Sequence, residues 1–340
     1  MMRIYLVATF VLLLTCEVFS QDVQYSQFYA NPFYLNPALA GSTELTRVGA
    51  NFRNQWPALD QNFIAYTAYA DHFLEKYNSG FGIVVSGARE SFHQSRTDEI
   101  GLLYSYRLRL GEKRFLHVGA QGSFLSRDVL FDQVILGTQL DIDKGVIVGE
   151  PGGSFSGDSR LRAADLNAGL LYYEEKFWLG VSAFHLLKPQ ISYLELNSNR
   201  LAVKYSIHGG VRFNLAPGNI NDYFNNTDQE RSLAFAFNYK SQGAFDQLDV
   251  GAEFYFEPLI LGFWYRGLPS KNNLPNNESL IGLIGIELGS GLDFGYSFDY
   301  SISKLGQYVS GGAHEVSVRY VFSSDDPRKK YYPALPTFRY

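Results

Sequence analysis

The sequence predicts an all-β protein, a transmembrane β-barrel of about fourteen antiparallel strands in a bacterial outer membrane. Three observations predict it. The chain opens with an export leader, its later segments alternate apolar and polar residues with period 2, and no later apolar run reaches membrane-helix length.

The leader comes first. Arg3 supplies a positive start, Ile4 to Leu14 form an apolar core, and Val18 and Ser20 stand where a signal peptidase reads small residues. Residues 1–20 are therefore expected to be a signal peptide, cleaved before Gln21. The core is too short to cross a bilayer as a helix, which takes roughly 20 residues. Cys16 raises a lipoprotein reading, but Thr15 directly before it fits a lipobox poorly. Cleavage before Gln21 leaves a mature chain without cysteine, so an oxidising compartment puts no thiol at risk.

Composition narrows the classes. A formal net charge of -5 argues against a nucleic-acid partner, which would need phosphates neutralised. The 24 Tyr, 27 Phe and 32 Gly, with only 19% charged residues, fit an exported β-rich chain, either soluble or membrane-embedded. Periodicity chooses between these.

In 292–300, Leu292, Phe294, Tyr296, Phe298 and Tyr300 alternate with Asp293, Gly295, Ser297 and Asp299. In 203–214, Tyr205, Ile207, Val211 and Phe213 alternate with Lys204, Ser206, His208 and Arg212. In 100–110, Ile100, Leu102, Tyr104, Tyr106, Leu108 and Leu110 face away from Ser105, Arg107 and Arg109. Successive strand side chains point to opposite faces, so each segment has one apolar and one polar face. A soluble sandwich would show this too, with its apolar face inward. The membrane reading is favoured because the segments run about 9–13 residues, longer than the usual strand of ~5–6 and suited to a tilted membrane strand. Tyr and Phe also gather near segment ends, as interfacial girdles do.

The expected strands lie near 45–54, 62–73, 80–90, 97–110, 113–126, 162–173, 176–185, 201–214, 231–240, 245–256, 258–267, 278–288, 291–301 and 313–322. Short periplasmic turns and longer outer loops are the rule in such barrels. The short connections 74–79, 111–112, 174–175, 257–258 and 289–290 share one parity. The long ones 127–161, 186–200, 268–277 and 302–312 share the other, with 215–230 as a long exception on the periplasmic side. The chain thus divides into a leader at 1–20, a periplasmic or plug segment at 21–44, a barrel at 45–323 and a periplasmic tail at 324–340. Lys204, Arg212, Arg107, Arg109, Asp249, Glu253, Asp293 and Asp299 are expected to face the lumen. A Lys or Arg on the lipid face at midplane would cost ~2–4 kcal/mol.

Catalytic signatures are sparse. The six histidines show no metal-ligand spacing, and no cysteine cluster supports zinc. His314, Glu315 and nearby Ser310 are the only sequence-local hydrolase grouping, and a triad is defined by geometry. The glycines form no phosphate-cradling loop; 150–160 reads as a flexible loop, and the N-x-S/T patterns at Asn225 and Asn277 mean little in such a protein. No enzyme activity, cofactor or metal is expected.

Several polar-aromatic clusters exceed what strands require. Tyr25-Ser26-Gln27-Phe28 is followed by Asn31-Pro32-Phe33-Tyr34-Leu35-Asn36-Pro37-Ala38-Leu39-Ala40-Gly41, whose prolines exclude a central strand. Arg53-Asn54-Gln55-Trp56-Pro57 closes the first strand. Asp299 to Lys304 and Gly311-Gly312-Ala313-His314-Glu315-Val316 stand near the end.

With these motifs the chain resembles the PorP/SprF family of type IX secretion outer-membrane proteins. The family's Y-S-Q-[FY], N-P-x-Y-x-N-P-A-x-A-G-S and R-N-Q-W-P elements match 25–28, 31–42 and 53–57. Its closing Y-D-x-S-x-S-K-L and G-[GS]-x-H-E-[IV] match 299–305 and 311–316, and a middle pair matches 169–173 and 179–182. The resemblance implies a role in secretion or surface anchoring of a partner, such as a gliding adhesin with a type B C-terminal signal. It also implies periplasmic type IX components or a peptidoglycan-binding lipoprotein as further partners, beside outer-membrane lipid. The motif positions Tyr25, Gln27, Asn31, Pro32, Asn36, Pro37, Gly41, Arg53, Gln55, Trp56, Asp299, Lys304, Gly312, His314 and Glu315 become candidate plug or partner contacts. The competing reading from a different class is a porin or small-solute transporter.

Overall fold

The computed structural model describes residues 22–59, 62–91, 95–129, 140–141, 146–147, 160–190, 200–215, 231–271, 274–288, 290–304 and 306–322. The expected signal peptide, the 216–230 stretch and the 324–340 tail lie outside the described residues.

Fourteen strands close into one antiparallel barrel. They are β1 (Thr46–Gln55), β2 (Phe63–Leu74), β3 (Ser79–Glu90), β4 (Ser95–Arg109), β5 (Arg114–Val129), β6 (Arg160–Glu174), β7 (Phe177–Phe184), β8 (Lys204–Asn214), β9 (Arg231–Gln242), β10 (Phe245–Phe256), β11 (Leu259–Lys271), β12 (Leu274–Leu288), β13 (Leu292–Ser301) and β14 (Ala313–Phe322). Each pairs with its sequence neighbours, and β1 closes on β14 in a register that sets Arg53 opposite Glu315. Closure removes the unpaired strand edges that a bilayer would not tolerate.

The two faces of the wall are inverted relative to a soluble protein. Leu102 is 67% exposed and Phe263 61%, whereas Asp249, Arg266 and Glu315 are at 0%. Burying charges inside while exposing large apolar side chains outside would be ruinous in water, but it is what a lipid-facing band and a polar lumen require. This inversion excludes the sandwich, and the barrel resides in the outer membrane.

Connections on the side where β1 begins and β14 ends are short at 75–78, 110–113, 175–176, 257–258 and 289–291, with 215–230 again the exception. The opposite side carries the long 130–159, 185–203 and 302–312 connections, which makes it the outer side. Two expectations need correcting. The stretch 268–277, expected as a long loop, is mostly strand, because β11 and β12 run on as a hairpin to a connection at 272–273. That extension lies past the last wall pairings, Asp249 with Arg266 and Ser279 with Ser301, and register shifts follow Arg266 and Leu268. A two-stranded ribbon with irregular register has few ladder bonds for Pro269 and Pro275 to break, so both prolines are accommodated. Arg109, expected in the lumen, is exposed at the periplasmic end of β4, where its Nε donates to the Gly111 carbonyl at 3.1 Å.

Inside the wall runs residues 22–45. Asp22 meets His185, Lys204 and Gln242 at the outer ends of β7, β8 and β9, whereas Glu44 pairs with Arg107 near the periplasmic end of β4. The segment therefore descends the lumen from the outer end to the periplasmic end before turning up into β1.

Candidate functional site: the occupied lumen

The descending segment is built from short, proline-started turns that spare the wall any need to supply strand partners. Pro32 opens the single-turn helix α1 (Pro32–Leu35), and Pro37 opens a 3-10 turn over Pro37–Leu39. Proline suits a first helical position because its missing N–H would have no partner there. Asn36 joins the two turns: its side-chain oxygen accepts from the Ala38 N–H at 2.9 Å. Its Nδ2 donates to the carbonyls of Leu170 and Val181 at 3.0 and 3.1 Å and lies 3.2 Å from His208 Nε2. So close an approach needs bare wall: a Cβ on Gly169 would fall 1.9 Å from Asn36 Oδ1.

Aromatic side chains pack this segment against the inner wall. Phe28 meets Trp264 edge-on at 5.0 Å and Phe33 meets Tyr69 at 5.4 Å, while Tyr25 and Tyr34 meet each other within the segment at 5.0 Å. Such pairs contribute roughly 0.5–1.5 kcal/mol each beyond their burial. The Tyr25 hydroxyl and the Asn31 amide share Thr67 Oγ1, at 2.8 and 3.1 Å.

Charge fixes the upper part. Arg53 Nη2 donates to Asp299 Oδ2 at 2.8 Å, and its Nη1 reaches Ser26 Oγ at 2.7 Å and Glu315 Oε2 at 3.3 Å. Glu315 accepts the backbone N–H groups of Ser26 and Gln27 at 2.6 and 3.1 Å. Gln27 in turn donates to the Glu315 carbonyl at 2.9 Å and accepts from Ser317 Oγ at 2.6 Å. Arg266 donates to Asp249 at 2.7 Å, Asp299 at 3.2 Å and the Tyr25 carbonyl at 2.8 Å. Ions this deeply buried persist only because each is paired and hydrogen-bonded.

The two ends are tied separately. At the outer end His185 lies between Asp165 at 2.6 Å and Asp22 at 2.9 Å, and Lys204 reaches Asp22 at 2.7 Å. Burial works against the Asp22 carboxylate, yet His185 and Lys204 hold its pKa well below the usual range. Burial likewise pulls His185 down, but Asp22 and Asp165 outweigh it and push its pKa up to about 9. At the periplasmic end Arg47 pairs with Asp71 at 2.8 Å, and Asp71 accepts from the Gly41 N–H at 2.7 Å. Gly41 has φ +69, and a Cβ there would lie 2.7 Å from Gly80 Cα, so only glycine fits.

The motif residues therefore divide by place. Tyr25, Gln27, Asn31, Pro32, Asn36, Pro37, Gly41, Arg53, Asp299 and Glu315 converge in the lumen. Gln55 borders that group, accepting from Arg53 Nη2 at 3.3 Å. Trp56 and Gly312 instead tie two outer loops together through a 2.8 Å backbone bond, and Lys304 is exposed nearby. His314 points outward, with its ring Nδ1 2.8 Å from the Tyr296 hydroxyl, while Glu315 points inward, so the two cannot act as one dyad. Sequence reasoning did not single out Arg47, Asp71, Arg266, Asp22 and His185. Arg266 shares a strand face with Ile260 and Trp264, and 259–265 is apolar on both faces, so alternation gave no signal there and only the cost of a charge on the lipid face points Arg266 inward.

Two crystal structures of bacterial barrels are similar in outline. Omp33 of Acinetobacter baumannii is 8% identical at a TM-score of 0.41, covering 83% of this chain and 98% of that one. A Pseudomonas aeruginosa FadL homologue is 12% identical at a TM-score of 0.40, covering 85% and 93%. No curated protein matches the chain. The family model described as type IX secretion system membrane protein PorP/SprF matches residues 17–320, a span that holds the lumen segment and all but the last two residues of the barrel. The chain belongs to the PorP/SprF family of type IX secretion system membrane proteins.

Proposed function

We propose that this barrel serves type IX secretion without catalysis, receiving or retaining a secreted partner at the outer membrane. The partner proposed is a large adhesin of the gliding type with a type B C-terminal signal, assisted from below by periplasmic components of the same system. One observation carries this over a diffusion pore: the lumen holds the chain's own residues 22–45, tied to the wall by ion pairs of Asp22 and Glu44 at its two ends and by hydrogen bonds to Arg53 and Glu315 between them. A solute route would have to displace a segment whose removal takes the carboxylate partners from Lys204 and Arg107, at a cost of several kcal/mol. A static, filled barrel suits a scaffold whose loops and mouths do the recognising.

Deleting the gene and measuring the surface proteome tests the reading. Disappearance of a single large adhesin supports a dedicated partner role, and disappearance of all type IX cargo supports a core role. An unchanged surface proteome with altered solute uptake would overturn both in favour of a porin.

A further inference from the structure

The lipid-facing side of the wall differs from one sector to another. At the outer ends of β8, β9, β11 and β13 its outward positions hold neutral aromatics, Tyr205, Tyr239, Tyr265 and Tyr300. Such rings suit the headgroup level of a bilayer. On β3 to β6 the same level is charged. The pairing sets Arg89, Arg96, Asp128 and Arg160 side by side across these four strands. Gly87, Asp98, Ser126 and Arg162 form the next row toward the membrane. All four arginines are exposed and alternate with inward residues, so they stand on the outer surface of the wall.

The height of these rows follows from the apolar band below them. On β4 the outward residues from Ile100 to Leu108 are all aliphatic or aromatic, and all are exposed. At the usual rise and tilt they cover roughly 20 Å of height, most of the ~25 Å apolar band of such barrels. Val85, Ile100 and Phe124 form the last apolar row, and Asp98 and Arg96 follow directly. The charged rows therefore lie where headgroups end the hydrocarbon, a level at which arginine is tolerated on the outer face.

The cluster holds more positive charge than it neutralises itself. Asp98 is taken by Arg96 at 2.7 Å and also accepts from the Tyr66 hydroxyl at 2.7 Å. Asp128 is taken by Arg160 at 3.1 Å. Arg89 and Arg162 make no ion pair among the described residues, so four arginines against two aspartates leave two positive charges over. Arg89 also stands directly opposite Arg96, a like-charge pairing that a strand ladder disfavours. An anion against the wall would offset it. Guanidinium groups take phosphate through two parallel hydrogen bonds, which selects it over a singly bonding partner.

We propose that the outer ends of β3 to β6 form a binding site, on the lipid-facing surface, for the phosphate headgroup of an outer-leaflet lipid. Arg89 beside Arg96 takes phosphate at one edge of the cluster, and Arg162 beside Arg160 takes it at the other. Asp98 and Asp128 hold Arg96 and Arg160 in place between them. The acyl chains then run down the wall over Val85, Ile100 and Phe124. A lipid is the occupant because the charged rows continue directly into the apolar band, so one molecule meets both. The site does not depend on which cargo the barrel serves.

The test uses the full-length barrel refolded in non-ionic detergent and titrated with dioctanoyl phosphatidate, dioctanoyl phosphatidylcholine and inorganic phosphate, with adducts counted by native mass spectrometry. Saturable binding of phosphatidate is expected, with phosphatidylcholine and inorganic phosphate each at least about tenfold weaker. Combining Arg89→Gln with Arg162→Gln removes the two unpaired charges and is expected to weaken phosphatidate about tenfold or more. Both side chains are exposed, so this variant should still fold, which heat-modifiable gel migration checks. Arg109→Gln, at the periplasmic end of β4, is expected to change nothing. No saturable binding of phosphatidate would overturn the proposal. So would equal affinity for phosphatidylcholine, affinity unchanged in the folded double variant, or an equal loss in Arg109→Gln. Equal affinity for inorganic phosphate would mark a bare anion site, and tighter binding of a capped oligoglutamate peptide would mark an acidic protein partner. Either result would also overturn it.

Discussion

Arg53 on β1 holds Asp299 on β13 at 2.8 Å, reaching past the whole of β14 to do so. The guanidinium also reaches Glu315 on the intervening strand and Ser26 in the lumen segment. One side chain thus joins the barrel seam to the segment inside it. Replacing Arg53 with Ala leaves two buried carboxylates short of a counter-charge, and a loss of about 3–5 kcal/mol in urea unfolding of the refolded barrel is expected. Arg53→Lys should recover only part, because a single ammonium cannot reproduce the forked geometry. Adding Asp299→Asn and Glu315→Gln to Arg53→Ala should restore more stability than lysine does, by removing the stranded charges.

Gly119 tests how closely the segment must approach the wall. A Cβ there would lie 2.4 Å from both the N and Cα of Ala38, which are backbone atoms that no rotamer can move. Gly119→Ala should therefore push the 36–40 region off the wall, whereas Gly122→Ala, with nothing within 4 Å of its Cβ, should be silent. The readout is maleimide labelling of an Ala38→Cys reporter: slow in the parent and in Gly122→Ala, markedly faster in Gly119→Ala.

The outer tie should respond to pH from both sides. His185 titrates near 6.5 when unfolded and about 9 when folded, so its contribution is complete below about pH 6.5 and fades as pH rises through about 9. Asp22 has a lowered folded pKa, so its contribution is present above about pH 4 and fades at lower pH. Thermal stability should show a plateau between these limits with an alkaline fall near pH 9. His185→Gln should remove that alkaline step; an unchanged step would show that another group causes it.

Strand direction fixes sidedness. An epitope inserted within 131–158 should be reachable by antibody on intact cells, and one within 325–338 should be reachable only after the outer membrane is opened. The reverse pattern would invert the barrel.

Much of this was legible in the sequence because it is local. Period-2 alternation gave the fourteen strands within a few residues, since a strand's two faces are written in adjacent positions. Asp293, Asp299 and Lys204 were assignable to the lumen by that parity. Arg109 was not, because parity says which face a residue takes but not where the wall ends. The β11–β12 hairpin was hidden by Pro269 and Pro275, which read as loop unless the strands are known to outrun their neighbours. The prolines in 31–37 showed that the segment was no strand. Its descent from Asp22 beside His185 to Glu44 beside Arg107 could not be read, because it depends on contacts far apart in the chain, from 63 residues for Glu44 with Arg107 to 289 for Ser26 with Glu315. Those contacts make Arg53, Asp299 and Glu315 one unit, although the sequence sets them in separate motifs.

The central claim is that residues 22–45 occupy the lumen of the intact barrel. Planar-bilayer recording of the full-length refolded protein tests it most directly. The structure predicts insertion without sustained open-pore current, because the segment is pinned at both ends and at Arg53. Stable, ohmic steps of the size of an open porin from the unmodified protein would contradict it.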